Sequence, residues 1–406
     1  MTSTLRPDTA EGVLEAVAWA AAEERPLEIV GHGSKRGVGR PVQAEFTLDL
    51  SGLTGVTLYE PEELVLSARA GTPLAEIEAL LKDNNQALAF EPMDYGPIFG
   101  AARGRGTIGG VLATNGSGPR RLKAGAARDH ILGIHAVSGR GEAFKSGGRV
   151  VKNVTGYDLS KGLAGSWGTL AVVTDLTFKV LPRPESAATI VIAGLDDETA
   201  IVALCQGMGT PWEVSGAAHL PEAVVSEVPD AAFAAGGKAA TLVRLEGFAP
   251  SVAYRAEKLK DLFAPLGGIA ILETDASEAL WRSVRDAEVF EATSDPLWRV
   301  SVAPNMGPGV VEALKDLGNI RYFYDWSGGL VWLETPPISD AGAVEIRRTI
   351  AEFGGHATLI RAEAAARAGI DVFQPLDPPL MALTAGLKRA FDPVGILNPG
   401  RMYPGI

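Results

Sequence analysis

Apolar residues recur along this chain with two different periods, and the change of period divides it into elements. Val13, Leu14, Val17, Ala18 and Ala21 keep helical spacing, and Pro7-Asp8 followed by Glu11 supplies a helix start. The short run Leu27-Glu28-Ile29-Val30 then reads as a buried strand, as do residues 46–50 and 64–70. Leu74, Ile77, Leu80 and Leu81 fall on one face of a helix over residues 73–82. Residues 130–137 and 170–180, rich in Val, Ile and Thr, are strand-like. The pattern shifts after Leu181-Pro182-Arg183-Pro184, where proline ends pairing and stiffens the exit from a domain.

Beyond that exit strands and helices alternate. Residues 188–192 precede a helix over 196–208, and residues 239–245 precede one whose face is Val252, Ala256, Leu259 and Phe263. Residues 320–326 and 330–334 read as a hairpin joined through Ser327-Gly328-Gly329, and a helix over 340–353 follows. The expected fold class is therefore α+β, in three parts: residues 1–183, an α+β second domain over 187–378, and a turn-rich tail over 379–406.

At 406 residues the chain exceeds what one simple core serves, so two domains are expected. The net charge of −12 argues against nucleic acid as a general partner. The single cysteine, Cys205, excludes a disulfide framework and an iron–sulfur cluster held by this chain alone, which takes four cysteines. Asp8, Glu11 and Glu15 interrupt any N-terminal signal core, and no apolar run is long enough to span a membrane. The expected location is the cytoplasm.

Candidate chemistry lies in glycine. Strand 27–30 ends in Gly31-His32-Gly33-Ser34-Lys35-Arg36-Gly37, and residues 104–118 read Gly-Arg-Gly-Thr-Ile-Gly-Gly-Val-Leu-Ala-Thr-Asn-Gly-Ser-Gly. Such stretches let a backbone lie against a ligand, and consecutive free N–H groups form a concave anion site. A phosphate-bearing cofactor fits. The first cluster spaces its third glycine one residue too far for a Rossmann turn and runs into Val38-Gly39-Arg40-Pro41, a poor helix. No Gly-Lys-Ser/Thr of the Walker type occurs, so triphosphate hydrolysis has no support.

Gly31-His32-Gly33-Ser34, Thr107-Ile108-Gly109-Gly110, Ala113-Thr114-Asn115-Gly116-Ser117-Gly118 and Arg128-Asp129 together resemble the vanillyl-alcohol-oxidase-type FAD-binding flavoproteins. So do residues 152–159, Gly165-Ser166-Trp167-Gly168-Thr169-Leu170 and the tail from Phe391-Asp392-Pro393 to Asn398-Pro399-Gly400-Arg401. Within that family the likeness is to FAD-binding subunits of bacterial glycolate oxidases, dense over residues 1–182 and 389–402. It implies a two-subdomain FAD-binding domain, a cap domain, and a tail returning to the FAD domain. It implies FAD held by Gly31, His32, Gly33, Ser34 and Lys35 as a first pyrophosphate loop, and by Thr107, Ile108, Gly109, Gly110, Ala113, Thr114, Gly116, Ser117 and Gly118 as a second. Gly168, Val172 and Val173 would lie along adenine and ribose, Arg128 would serve the phosphates, and Asn398 would approach the flavin edge. Read from the residues alone, Asn398 is a turn residue before proline.

The resemblance further implies a complex in which a sister flavin subunit oxidises a small 2-hydroxy acid and an iron–sulfur subunit accepts electrons, with membrane association only through partners. Two alternatives stand beside it: a stand-alone FAD-dependent D-2-hydroxy-acid dehydrogenase and a flavin-free scaffold subunit. In relatives with a histidyl linkage the attached histidine follows two glycines, where this chain has Ser34, so FAD is expected to be non-covalent. Metal-assisted relatives carry paired histidines in the cap. Here that region has only His219 and His356, in no ligand spacing, so no metal and no autonomous hydroxy-acid oxidation are expected, and no catalytic residue is assigned. His130 and His135 read as structural. Arg321, Tyr322, Tyr324 and Trp326 fit a cross-strand cluster better than a carboxylate clamp. Asp196-Asp197-Glu198 reads as a solvated helix start, and residues 152–158 read equally as cofactor wall or as a turn capping a helix from Asp158.

Overall fold

The first helix, Ala10–Ala22, is capped by Thr9, one residue after Asp8: Thr9 Oγ1 accepts the Gly12 N–H at 3.0 Å, leaving Pro7 outside against Gly12. Its buried stripe is Val13, Val17 and Ala20. The computed structural model describes residues 3–150 and 156–406, arranged as an α+β fold.

Strand Leu27–Val30 pairs in parallel with Phe46–Asp49, which pairs in parallel with Ser3–Leu5. The tail completes this small sheet. The Leu27 N–H donates to Ile396 O at 2.7 Å, and the Asn398 N–H donates to Leu27 O at 3.0 Å. Beside it stands a five-stranded antiparallel sheet in the order Val56–Glu60, Val65–Arg69, Ala171–Lys179, Ile131–Ser138, Ala143–Gly147. Its two outer strands are absent from the periodicity reading for a physical reason. As edge strands they are mostly half-buried or exposed, so neither shows the apolar signature of Val65–Arg69.

The larger sheet has eight antiparallel strands, in the order Ile269–Glu273, Ser186–Ala193, Ala240–Gly247, Gly216–Leu220, Arg321–Asp325, Leu330–Glu334, Leu297–Ser301, His356–Arg361. The expected hairpin is present, with Arg321 opposite Glu334 and Asp325 opposite Leu330. On one face, helices Asp197–Met208, Ala249–Phe263, Gly307–Leu314 and Ala343–Phe353 close a core that includes Ile190, Leu204, Leu259, Phe263 and Trp298. On the other, Leu242, Phe323, Trp326 and Trp332 share a core with Val38, Met93 and Ile98 from the N-terminal part. Both faces of the sheet are thus covered, which removes them from water. The seam beneath the second face is where the glycine-rich stretches arrive.

Candidate functional site

Strand Leu27–Val30 delivers the first glycine stretch. Gly33 adopts φ +74° with open space beside it, a conformation glycine tolerates without cost. Among the described residues, the backbone N–H groups of His32, Gly33, Ser34 and Lys35 donate to no protein acceptor. Four successive free donors make a concave anion site. His32 Nδ1 lies 3.2 Å from Arg105 O, which fixes the ring.

Two cations join this loop. Lys35 is buried without an ion-pair partner among the described residues, its Nζ 5.4 Å from the Tyr95 ring centre. Desolvation pushes its pKa down to about 8, and Asp94 opposes that only in part. Arg401 donates from Nη2 to Lys35 O at 3.0 Å and Val38 O at 3.1 Å, while its buried Nε has no partner. Burial pulls its pKa down to about 10, partly offset by Glu28. Buried, uncompensated cations are costly in an empty fold, and an anion between them offsets that cost.

The second glycine stretch corrects an expectation. It is not an open loop of free amides. Thr107 caps a helix over Ile108–Ala113, and its N–H groups are engaged: Ile108 to Thr72 O, Gly109 to Ala70 O, Gly110 to Thr107 Oγ1. Glycine is needed there for close approach. A Cβ at Gly109 would lie 2.7 Å from Ala70 O, and one at Gly31 would lie 2.7 Å from Thr107 Oγ1, so the two stretches touch. Gly106 and Gly110 turn toward the cations; a Cβ would lie 3.9 Å from Lys35 Nζ at the first position and 3.4 Å at the second. Residues 114–116 and 118 are bonded too, Gly116 N–H to Val111 O and Gly118 N–H to Phe90 O.

These elements line one groove. Gly31, Thr107 and Gly110 border both the cation-lined segment and an apolar slot walled by Ile29, Leu112, Leu163, Gly168, Val172 and Val173. Thr114 links the cation segment to a chamber under the eight-stranded sheet, where Asn115, Gly116, Ser117 and Gly118 face Arg299, Asp325, Trp326 and Trp332. Trp326 Nε1 donates to Gly118 O at 3.1 Å, and its ring has the Arg121 and Arg299 guanidinium carbons 5.1 and 4.8 Å from its centre.

Of the residues singled out from sequence, Gly31, His32, Gly33, Ser34, Lys35, Thr107, Gly109, Gly110, Ala113, Thr114, Gly116, Ser117, Gly118, Gly168, Val172 and Val173 line this groove. Three do not. Ile108 is fully buried in the core behind the helix. Arg128 is exposed and lines no part of the groove; its backbone N–H merely donates to Asn115 Oδ1. Asn398 is buried with both side-chain polar atoms spent, Oδ1 accepting from Ile29 N–H and Nδ2 donating to Trp167 O, each at 2.8 Å. From the tail it is Arg401 that reaches the groove.

Arg321 is engaged by Glu334, Val289 O and Glu227, and Tyr322 and Tyr324 both donate to Asp197 Oδ2 at 2.8 Å. Asp197 therefore belongs to a partly buried network and is not just a solvated helix start. His130 Nε2 lies 2.8 Å from Ala124 O, His135 is exposed, and His219 is enclosed between Thr241 and Asp197. Residues 152–155 lie outside the described residues; Asp158 caps the helix Leu159–Leu163. Sequence reasoning missed Tyr95, Arg299 and Asp325. A lone arginine inside the apolar strand Leu297-Trp298-Arg299-Val300 was the available signal.

Two faces of the seam are also clamped by charge. Arg244 makes paired bonds to Glu91 at 2.9 and 2.8 Å, and Arg120 pairs with Glu246. No helix among the described residues is long and apolar enough to cross a membrane.

Residues 2–147 match the FAD binding domain family. The chain is 34% identical to the glycolate oxidase subunit GlcE of Escherichia coli K12 over 98% of both chains. It is 25% identical to the glycolate oxidase subunit GlcD of Bacillus subtilis 168, covering 73% of this chain and 68% of that one. Among solved structures, the 4-ethylphenol oxidase from Gulosibacter chungangensis superimposes with a TM-score of 0.74 at 15% identity, over 99% of this chain and 89% of that one, a likeness of fold.

Proposed function

The chain belongs to the family of FAD-dependent oxidoreductases that includes glycolate oxidase subunit GlcE, and from that footing we propose that it is the FAD-binding subunit of a complex oxidising glycolate or a related 2-hydroxy acid. The observation that carries the reading is the groove's first segment: four free amides with Lys35 and Arg401, both buried and under-partnered. That donor set fits a pyrophosphate, which presents acceptor oxygens and negative charge only. The adjoining slot of Val172, Val173, Leu112 and Leu163 suits an adenosine, and the chamber at Thr114–Gly118 lies where the ring system of the same dinucleotide would extend. Bound there, FAD supplies a two-electron acceptor for a CH–OH carbon.

The chain's own groups orient and enclose. Trp326, Trp332 and Met93 give the chamber buried apolar walls, which strengthen charge interactions beside them. His32 is tied to Arg105 O and Ser34 carries no ring, which supports non-covalent attachment. With one cysteine the chain has no means of passing electrons through a cluster of its own, so a sister flavin subunit and an iron–sulfur subunit complete the reaction, in the cytoplasm or at the inner membrane face through those partners.

Affinity purification of the tagged chain from its native host tests the reading. Co-purification of a second flavoprotein and a cysteine-rich iron–sulfur polypeptide is expected. A chain that purifies alone and turns over glycolate by itself would instead make it a stand-alone dehydrogenase, and a colourless chain would make it a scaffold.

A further inference from the structure

The chamber under the eight-stranded sheet holds a cation and an acceptor that no protein group satisfies. Arg299 stands on strand Leu297–Ser301 beside Trp332 and Thr358 in register. Among the described residues its guanidinium donates no hydrogen bond and forms no ion pair, and it lies over the face of Trp326, 4.8 Å from the ring centre. Asp325 is 2% exposed; Oδ1 accepts the Trp326 N–H at 2.7 Å, and Oδ2 has no partner among the described residues. The two side chains line one cavity yet do not pair with each other. Ser117 and Tyr95 border the same space, and Arg121 donates to Ser117 Oγ at 3.0 Å.

A planar cation and a carboxylate oxygen facing one small space match a ligand with an anionic end next to a hydroxyl donor. Guanidinium binds a carboxylate through parallel N–H donors, and a carboxylate oxygen accepts from an O–H. We propose that Arg299 and Asp325 form a binding site for a small 2-hydroxy carboxylate, Arg299 taking the carboxylate and Asp325 Oδ2 accepting from the 2-hydroxyl. The assignment rests on the FAD reading above and deepens it, because it gives this subunit a substrate site of its own, built without metal or histidine. Burial pushes the Asp325 carboxyl up to about 7, with Arg244 and Arg299 opposing and Glu91 reinforcing. A half-neutral Asp325 lessens repulsion of an incoming anion and is poised to exchange a proton with the hydroxyl near neutral pH. Arg299 itself is held below the ordinary arginine range by the same desolvation, partly offset by Tyr95 and Asp325, as suits a guanidinium waiting for its counter-ion.

The test uses the FAD-loaded chain under anaerobic conditions, titrated with glycolate, acetate and ethylene glycol while the flavin spectrum and heat of binding are followed. Glycolate is expected to bind, acetate to bind several-fold more weakly, and ethylene glycol to leave the spectrum unchanged. Arg299→Met should weaken glycolate at least ~30-fold, the worth of a lost charge-assisted pair, with Arg299→Lys recovering part of the loss. Asp325→Asn should abolish the preference for glycolate over acetate. FAD content near that of the unsubstituted chain in every variant shows that the groove is intact. Equal glycolate affinity in Arg299→Met and the unsubstituted chain, or no glycolate binding to a fully FAD-loaded chain, would overturn the assignment while leaving FAD binding standing. An unsubstituted chain that takes up no FAD would instead overturn the function proposed above.

Discussion

Asn398 and Ile29, 369 positions apart, are joined by a 2.8 Å hydrogen bond from the Ile29 N–H to Asn398 Oδ1. The same amide donates from Nδ2 to Trp167 O, so one buried side chain from the tail ties the strand feeding the first glycine loop to the turn preceding Gly168. Asn398 thus sets the spacing of the groove without lining it.

Asn398→Leu should leave the Ile29 N–H and the Trp167 carbonyl buried without that partner, at a cost of about 3 kcal/mol. Thermal unfolding should fall by several degrees, and FAD content should fall with it. An unchanged melting temperature would show that water takes over both bonds.

Lys35 and pH give opposite signs for fold and ligand. Its folded pKa of about 8 lies below the ordinary 10.5, so between those values the unfolded chain binds more protons and the ligand-free fold gains stability as pH rises. FAD binding should run the other way, weakening by up to about tenfold per pH unit above 8 as the ammonium is lost. Lys35→Met should lower FAD affinity roughly 10- to 100-fold, the worth of one charge-assisted hydrogen bond, and flatten that pH dependence. Fluorescence titration of FAD on both sides of that pKa decides it; a parallel pH profile in Lys35→Met would exclude Lys35 from the phosphate site.

Adjacent glycines should fail in different ways. At Gly109 any side chain meets the Ala70 carbonyl, so Gly109→Ala should destabilise the fold itself. At Gly110 the backbone is helical and the nearest atoms are Thr107 Oγ1 at 3.2 Å and Lys35 Nζ at 3.4 Å. Gly110→Asp should therefore fold, pair with Lys35 and repel the pyrophosphate, giving normal circular dichroism and no retained FAD. A folded Gly110→Asp chain with full flavin would remove Gly110 from the site.

The charge clamp at the seam should be acid-labile. Burial alone would raise Glu246, but Arg244 and Arg120 hold it down at about 2. A carboxylate depressed in the fold contributes stability above its unfolded pKa near 4.5, lost as pH falls from there through about 2. Urea midpoints should drop over that window, and Glu246→Gln should flatten the slope by about 1.4 kcal/mol per pH unit. An identical slope in Glu246→Gln would place the acid sensitivity elsewhere.

How much of this was legible in the sequence varies with the kind of signal. The central strand Ala171–Lys179 and the helix bearing Val252, Ala256, Leu259 and Phe263 follow from periodicity because one face of each is buried. Edge strands such as Val56–Glu60 lack that asymmetry. The glycine stretches marked the groove, but composition does not reveal whether an amide is free, as at Ser34, or spent within the fold, as at Gly109. The tail motif was visible while its division of labour was not, since Asn398 turns inward and Arg401 turns to the groove only through contacts with residues more than 200 positions away. Arg299 and Asp325 came to line one cavity only when two neighbouring strand pairings of the large sheet brought them to one face.

The most direct measurement is the flavin content of the purified chain before and after acid precipitation, read by absorbance and fluorescence. The account predicts a yellow protein that releases one FAD per chain into the supernatant, and Arg401→Met and Lys35→Met chains that fold but hold little of it. A colourless unsubstituted chain, or flavin that stays with the denatured polypeptide, would contradict it.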